Sequence, residues 1–156
     1  MSDEKIKKAG KNRRKSRELT LKGMYQRLLS GGSAEEIASS LSDDPDYARA
    51  DQSYFQALLR GVIEHQAALD SQLRAYLDRE VAGLSPVEHA ILCIAGYELI
   101  HDASIPYRVV INEGVELAKR YGGTDGYKYV NGVLDKLAAD TRSSEVKRGR
   151  TDTAGS

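Results

Sequence analysis

The sequence predicts an all-α fold, a single domain of six or seven helices, on three observations. Apolar side chains recur every three to four residues along successive stretches of the 156-residue chain, the period of helices that bury one face. The prolines Pro45, Pro86 and Pro106 all fall between those stretches, where a missing N–H and a fixed φ do no damage. Period-two alternation, the strand pattern, persists nowhere, and Asn131-Gly132 sits inside a helical stripe instead of joining two strand-like runs. With 40% hydrophobic residues, a chain of this length sustains one core without metal or disulfide support.

The elements follow in order. Leu21, Met24, Tyr25, Leu28 and Leu29 form a first stripe that ends at Gly31-Gly32. Ala34, Ile37, Ala38 and Leu41 form a second, opened by the capping box Ser33-Ala34-Glu35-Glu36, in which hydroxyl and carboxylate each satisfy an orphan backbone donor. After the acidic loop Asp43, Asp44, Pro45, Asp46, a longer stripe runs through Phe55, Leu58, Leu59, Val62, Leu69, Leu73 and Tyr76. It reads as one helix or two, because Gly61 and Glu64-His65-Gln66 weaken its middle. Ser85-Pro86-Val87-Glu88 is a second capping box with proline at the first helical position. The helix it opens, through Ala90-Ile91-Leu92-Cys93-Ile94-Ala95, is apolar almost all round and is expected at the centre. Pro106 leads the next segment, where Val110, Gly114, Leu117 and Tyr121 share a face with Ile111, Val115 and Ala118. Gly122-Gly123 is expected to end it through left-handed backbone. Val130, Val133, Leu134, Leu137 and Ala138 make the last stripe, entered through Thr124-Asp125 as cap candidates.

The formal net charge is zero, yet the charges are segregated. Residues 1–17 carry +6, the tail 143–156 carries +1, and the body between them carries −7. A basic arm on an acidic domain is suited to a polyanion, or is a solvated tail. The single cysteine, Cys93, excludes a disulfide framework and fits a reducing cytoplasm. The longest nearly unbroken apolar stretch, Ala90 to Tyr97, is far short of the roughly 20 residues that span a bilayer. The basic N-terminus is followed by no apolar segment, so no secretory signal is expected.

Catalytic chemistry finds no pattern. His65, His89 and His101 stand on different segments, and no spacing resembles a zinc or di-iron site, so neither a metal nor a cofactor is expected. Cys93, in the most apolar helix, reads as a small core residue. Gly122-Gly123 follows a helix and lacks the phosphate-loop lysine-serine. Glu113 and Glu116 share a face as acids on solvated helices commonly do.

Two segments fit nucleic acid. Lys11-Asn12-Arg13-Arg14-Lys15-Ser16-Arg17-Glu18 leads into the first stripe. With a helix starting near Asn12, Arg13, Arg14 and Arg17 project from neighbouring turns on one side, where guanidinium groups grip phosphates and stack on bases. In Thr124-Asp125-Gly126-Tyr127-Lys128-Tyr129, Lys128 points away from the apolar stripe and the two tyrosines flank it. Either ring is a candidate stacking platform, or both are half-buried amphipathic tyrosines. The combination favours single-stranded RNA over duplex DNA.

The same residues resemble the bacterial NusB family. Asn12-Arg13-Arg14-Lys15-Ser16-Arg17-Glu18 with Met24-Tyr25 is similar to the family's start, and Val87-Glu88-His89-Ala90-Ile91-Leu92 with Tyr97-Glu98-Leu99 to its central helix. Ile105-Pro106-Tyr107-Arg108-Val109-Val110-Ile111-Asn112-Glu113, Glu116-Leu117-Ala118-Lys119 and Lys128-Tyr129-Val130-Asn131-Gly132-Val133-Leu134-Asp135-Lys136 complete an ordered match over about residues 12–141. The resemblance implies a helical bundle of two subdomains over 12–141; outside the match, lysine and Gly/Ser/Thr content leads us to expect a flexible basic arm at 1–11 and a flexible tail at 142–156. It implies no enzyme activity and a role in transcription antitermination. The partners it implies are NusE, which is also a small-subunit ribosomal protein, the boxA element of nascent RNA, and the RNA polymerase antitermination complex that supports ribosomal RNA synthesis. Carried across, its RNA-binding residues fall on Arg13, Arg14, Arg17, Tyr25, Asp125, Lys128 and Tyr129, and its partner-protein face on Glu88, Tyr97 and Glu98. Tyr129 stands where the family usually has phenylalanine, which preserves stacking. Gly126 and Tyr127 replace a small polar residue and a histidine. A protein–protein docking module without RNA affinity of its own is the alternative. An attached RNA methyltransferase domain would need a doubly wound domain, and 15 residues follow position 141. Some members of the family form a homodimer that covers the arginine-rich surface; the sequence leaves the oligomeric state open.

Overall fold

The computed structural model describes residues 3–154, and among these the fold is all-helical, without strands. Eight α-helices occur: α1 (Asp3–Ser30), α2 (Ala34–Leu41), α3 (Gln52–Glu64), α4 (Gln66–Leu73), α5 (Pro86–His101), α6 (Tyr107–Tyr121), α7 (Gly126–Thr141) and α8 (Ser143–Ala154). Seven of them occupy the stretches that periodicity marks, and the long third stripe resolves into two at His65. The chain divides into two compact units, Met1–Gln66 and Ala67–Ser156. No helix among the described residues is long and apolar enough to cross a membrane.

In the first unit α1 packs on α2 and α3. It begins at Asp3, nine residues earlier than expected, with Asp3 and Glu4 in its first turn complementing the helix dipole. Met1 and Ser2 of the expected arm, with Gly155 and Ser156 of the tail, lie outside the described residues. Gly31 and Gly32 end α1 at φ 79° and 113°, a left-handed conformation open to glycine without a Cβ penalty. Ser33 caps α2 by accepting the Glu36 N–H at 3.1 Å, the hydroxyl half of the expected capping box. Asp51 caps α3 in the same way through the Tyr54 N–H. Leu19, Met24, Ile37, Phe55, Leu59 and Val62 form the core. Gly23 lets the helices meet, since a Cβ there would come within 3.0–3.1 Å of Ile37, Leu41 and Leu59. Two members of the expected first stripe face outward instead: Tyr25 is 42% and Leu29 57% exposed. A helix buries only the arc its neighbours cover, and α2 and α3 cover the Leu21–Met24 side.

In the second unit α5 packs on α6 and α7. Ala90 through Gly96, with Glu98 and Leu99, are buried in a helix without a polar face, the central position that its composition predicts. Ser85 caps it by accepting the Glu88 N–H at 3.1 Å, with Pro86 at its start. The end of α6 corrects the expectation. Gly122 sits at φ −89°, ψ −178°, and Gly123 is not left-handed either. Glycine is required at 122 because a Cβ would meet the Ala118 carbonyl oxygen at 2.7 Å. Asp125 precedes α7 but makes no side-chain cap.

Arg142 follows the expected 12–141 body directly. Its Nε donates to the Leu99 carbonyl at 2.7 Å, and its two terminal nitrogens donate to the carbonyls of Ile105, Glu98 and Asp102 and to the Glu145 carboxylate. The five guanidinium donors therefore serve the open C-terminal end of α5, the loop after it and the first turn of α8. Glu145 also accepts the Tyr107 N–H at 3.0 Å, satisfying the uncapped start of α6. Burial raises the Glu145 carboxyl, but the Tyr107 N–H and Arg142 outweigh it and leave its pKa lowered.

Candidate nucleic-acid interface

The arginine cluster lies in the first unit, on α1. Arg13 and Arg14 are exposed. The Arg13 guanidinium stands 4.5 Å from the ring centroid of Tyr54 on α3. Arg17, one turn on, is 5% exposed and donates to the Tyr54 hydroxyl at 3.2 Å. Arg13 and Arg17 therefore share one side of α1, but the i,i+4 spacing that aligns them carries Arg17 into the α1–α3 seam while Arg13 stays exposed. Neighbouring cations are engaged by the acidic loop. Lys15 pairs with Glu18 at 3.2 Å and Asp46 at 3.7 Å, and Lys22 with Asp44 at 3.0 Å. The Asp46 N–H and then Lys22 hold the Asp44 carboxyl below its ordinary value. Tyr25, further along α1, is exposed.

Asp125, Lys128 and Tyr129 lie in the second unit at the start of α7. Lys128 is exposed and pairs with Asp125 at 3.6 Å. Tyr129 is half-buried; its hydroxyl accepts the Asp78 N–H at 3.3 Å, and the Arg79 guanidinium stands 4.5 Å from its ring centroid. Burial raises its hydroxyl pKa. Asp78 and Arg79 pair at 2.7 Å, which lowers the Asp78 carboxyl. Tyr127 is also half-buried, with the ammonium groups of Lys119 and Lys128 at 5.2 and 5.9 Å from its ring centroid. An open groove of about 310 Å³ runs beside Tyr129, lined among others by Tyr76, Asp78, Lys128, Gly132 and Lys136. Two tyrosines and two lysines are thus among the residues that border it. Tyr54, Tyr76, Arg79 and Lys136 were not marked as interface residues by the sequence, because their relation to the marked residues is purely spatial.

The residues expected on a partner-protein face divide. Glu88 is half-buried against the start of α7, where a Cβ at Gly126 would approach its Oε1 to 2.9 Å. Tyr97 is half-buried, its ring 4.9 Å from that of His101. Glu98, by contrast, is 2% exposed.

A family model described as the NusB family matches residues 14–139. The chain belongs to the NusB family. Among its relatives, the transcription antitermination protein NusB of Methylobacillus flagellatus is 64% identical over 143 residues, 92% of this chain and 93% of that protein. The protein of the same name from Nitrosomonas eutropha is 57% identical over 141 residues, 90% of this chain and 84% of that protein. Among solved structures, T. maritima NusB superposes with a TM-score of 0.77 at 29% identity, covering 86% of this chain and 96% of that one. A crystal structure of the antitermination factors NusB and NusE in complex with double-stranded RNA gives a TM-score of 0.76 at 25% identity, covering 83% and 97%. Both relatives carry the name of a transcription antitermination protein.

Proposed function

We propose that this chain is an RNA-binding antitermination factor that works with NusE on boxA RNA and supports ribosomal RNA transcription within an RNA polymerase antitermination complex. The observation that carries the reading is the Tyr129 site, where an aromatic face, Lys128 and Lys136 border one open groove. Likeness to a NusB that was solved with NusE and RNA supports it.

In this reading Arg13 and Arg14 take phosphates and supply the salt-dependent part of affinity. Tyr129 stacks a base, with Arg79 on its ring, and Lys128, poised by Asp125, follows the backbone. Tyr25 adds a second stacking edge. Arg17 acts through Tyr54, which it holds beneath Arg13. Glu88 and Tyr97 face the partner protein, and Glu98 supports that surface from inside. The docking-module alternative draws on the first unit's ion pairs, because Lys15 and Lys22 already spend their charge on Asp44, Asp46 and Glu18.

Fluorescence anisotropy of a labelled boxA-type RNA, titrated with the chain alone and with NusE, separates the two. The factor reading expects preference over scrambled RNA and tightening by NusE. Its log–log salt slope is about −0.7 per neutralised phosphate on a single strand. Equal, weak binding to both RNAs that NusE does not improve overturns it in favour of the docking module.

A further inference from the structure

His89, which stands alone in the sequence pattern, is not alone in the fold. His89 and Cys93 lie one turn apart on α5, so both side chains leave the same face. Asp70 of α4 meets them there: His89 Nε2 lies 2.7 Å from Asp70 Oδ1, and the Cys93 thiol donates to the same oxygen at 3.5 Å. The three ligand atoms all lie within 4.8 Å of one another. Cys93 is fully buried, whereas the side chains of His89 and Asp70 are 13% and 20% exposed and form the rim.

We propose that Asp70, His89 and Cys93 form a three-ligand site for a divalent cation of the zinc class, tying α4 to α5. The donor set argues for that class: imidazole and carboxylate suit several divalent metals, but a thiolate beside them selects the softer ones and disfavours magnesium and calcium. The geometry is close to that required. In a tetrahedral zinc site the ligand atoms stand about 3.3–3.7 Å apart, given bond lengths of about 2.0–2.3 Å. The Cys93–Asp70 separation is already there, and the His89–Asp70 pair opens by less than about 1 Å. Entry is from the rim, and water completes the fourth position. Two ligands i,i+4 on one helix with the third from a neighbouring element is a layout that metal-binding helices use.

The proton balance is explicit. Burial and then the Asp70 charge keep the Cys93 thiol protonated. Coordination forms the metal–sulfur bond and releases the thiol proton to solvent. The proton that His89 Nε2 shares with Asp70 in the metal-free site passes through solvent to Nδ1, or is released if the ring is already doubly protonated, so that the Nε2 lone pair binds the dication, which offsets the Asp70 charge. Unlike an isolated core cysteine and an ordinary His–Asp hydrogen bond, such a site stabilises the second unit as metal concentration rises.

The test uses the full chain without an affinity tag, stripped by a chelator and kept reduced. Cobalt(II) alone is the probe, and zinc(II) the competitor. The expected result is one cobalt per chain, a near-ultraviolet thiolate-to-cobalt charge-transfer band, and loss of that band on adding zinc. Cys93→Ser abolishes the band, and Asp70→Asn and His89→Gln each weaken binding by more than the roughly 10–100-fold typical of outer-shell partners. Absence of the band in the unaltered chain overturns the proposal, as does equal cobalt affinity in the chain and all three variants. Circular dichroism checks the fold of the Cys93 variant, and the two rim variants keep the test decisive should that one unfold. None of these readouts involves RNA.

Discussion

Arg13 and Arg17 stand four residues apart in one basic run, yet the structure gives them different work. Arg17 is buried and bonded to Tyr54, whereas Arg13 lies exposed above the same ring. Arg17→Ala removes a hydrogen bond and a packed stem, and is expected to destabilise the chain by about 1–2 kcal/mol. Arg13→Ala is expected to leave stability within about 0.5 kcal/mol while weakening RNA binding and reducing the magnitude of the salt slope by about 0.7. Urea melts beside RNA titrations of the two variants check the division; loss of RNA binding in a stable Arg17→Ala protein would assign Arg17 a direct contact instead. Asp44 yields a pH dependence. Its carboxyl is lowered by the Asp46 N–H and by Lys22, so its contribution is present above the ordinary carboxylate range and is lost as pH falls through the lowered value. Stability of Asp44→Asn is therefore expected to fall less steeply on acidification than that of the unaltered chain, measured as urea midpoint against pH.

Two glycines show how one substitution changes sign between helices. Alanine is favoured over glycine inside a helix by about 0.8–1 kcal/mol. At Gly132 of α7 nothing lies within 4 Å of the added Cβ, and Gly132→Ala is expected to stabilise by about 0.5–1 kcal/mol. At Gly23 of α1 the Cβ meets three core side chains at 3.0–3.1 Å. Overpacking costs about 1–3 kcal/mol, so Gly23→Ala is expected to lose about 1 kcal/mol net; thermal melts of both variants decide. Arg142 is also an inter-element device. Arg142→Ala takes the guanidinium donor from the carbonyls of Leu99 and Ile105 and leaves those of Glu98 and Asp102 with only the Asp102 and Ile105 N–H groups, an expected loss of about 2–4 kcal/mol. Arg142→Lys is expected to recover little, because an ammonium cannot span that fork; chemical denaturation of the pair measures it. Elements written in local pattern were legible in the sequence: the Ser33 and Ser85 caps, the break near His65 and the surrounded α5. Those that depend on distant partners were not. In α8, Ser143–Ala154, Val146 is the one buried hydrophobic residue among the described side chains, and the helix is anchored through Arg142 and Glu145, so no periodicity announces it. Gly122 was misread because a glycine pair after a helix has two physical explanations, handedness and close approach, and sequence does not separate them.

At the scale of the whole molecule, the all-helical class and the order of seven helices followed from periodicity and proline placement. The candidate interface was legible only in part. Arg13, Arg14, Lys128 and Tyr129 are marked by charge and aromatic spacing, while Tyr54 and Arg79 acquire their roles only when segments distant in sequence meet. The division into units at Gln66–Ala67 falls where polar Glu64-His65-Gln66 interrupts an apolar stripe. The surrounded position of α5 carries a further consequence. Backbone amides in its buried middle have no local route to water, so deuterium enters them only when the second unit opens as a whole. The exchange free energies of Ile91 through Ala95 are accordingly expected to agree with one another and with the unit's unfolding free energy from denaturant, while those of α8 lie lower. Five adjacent amides then make α5 a gauge inside the molecule, reporting through their isotope labels the stability of everything packed around them.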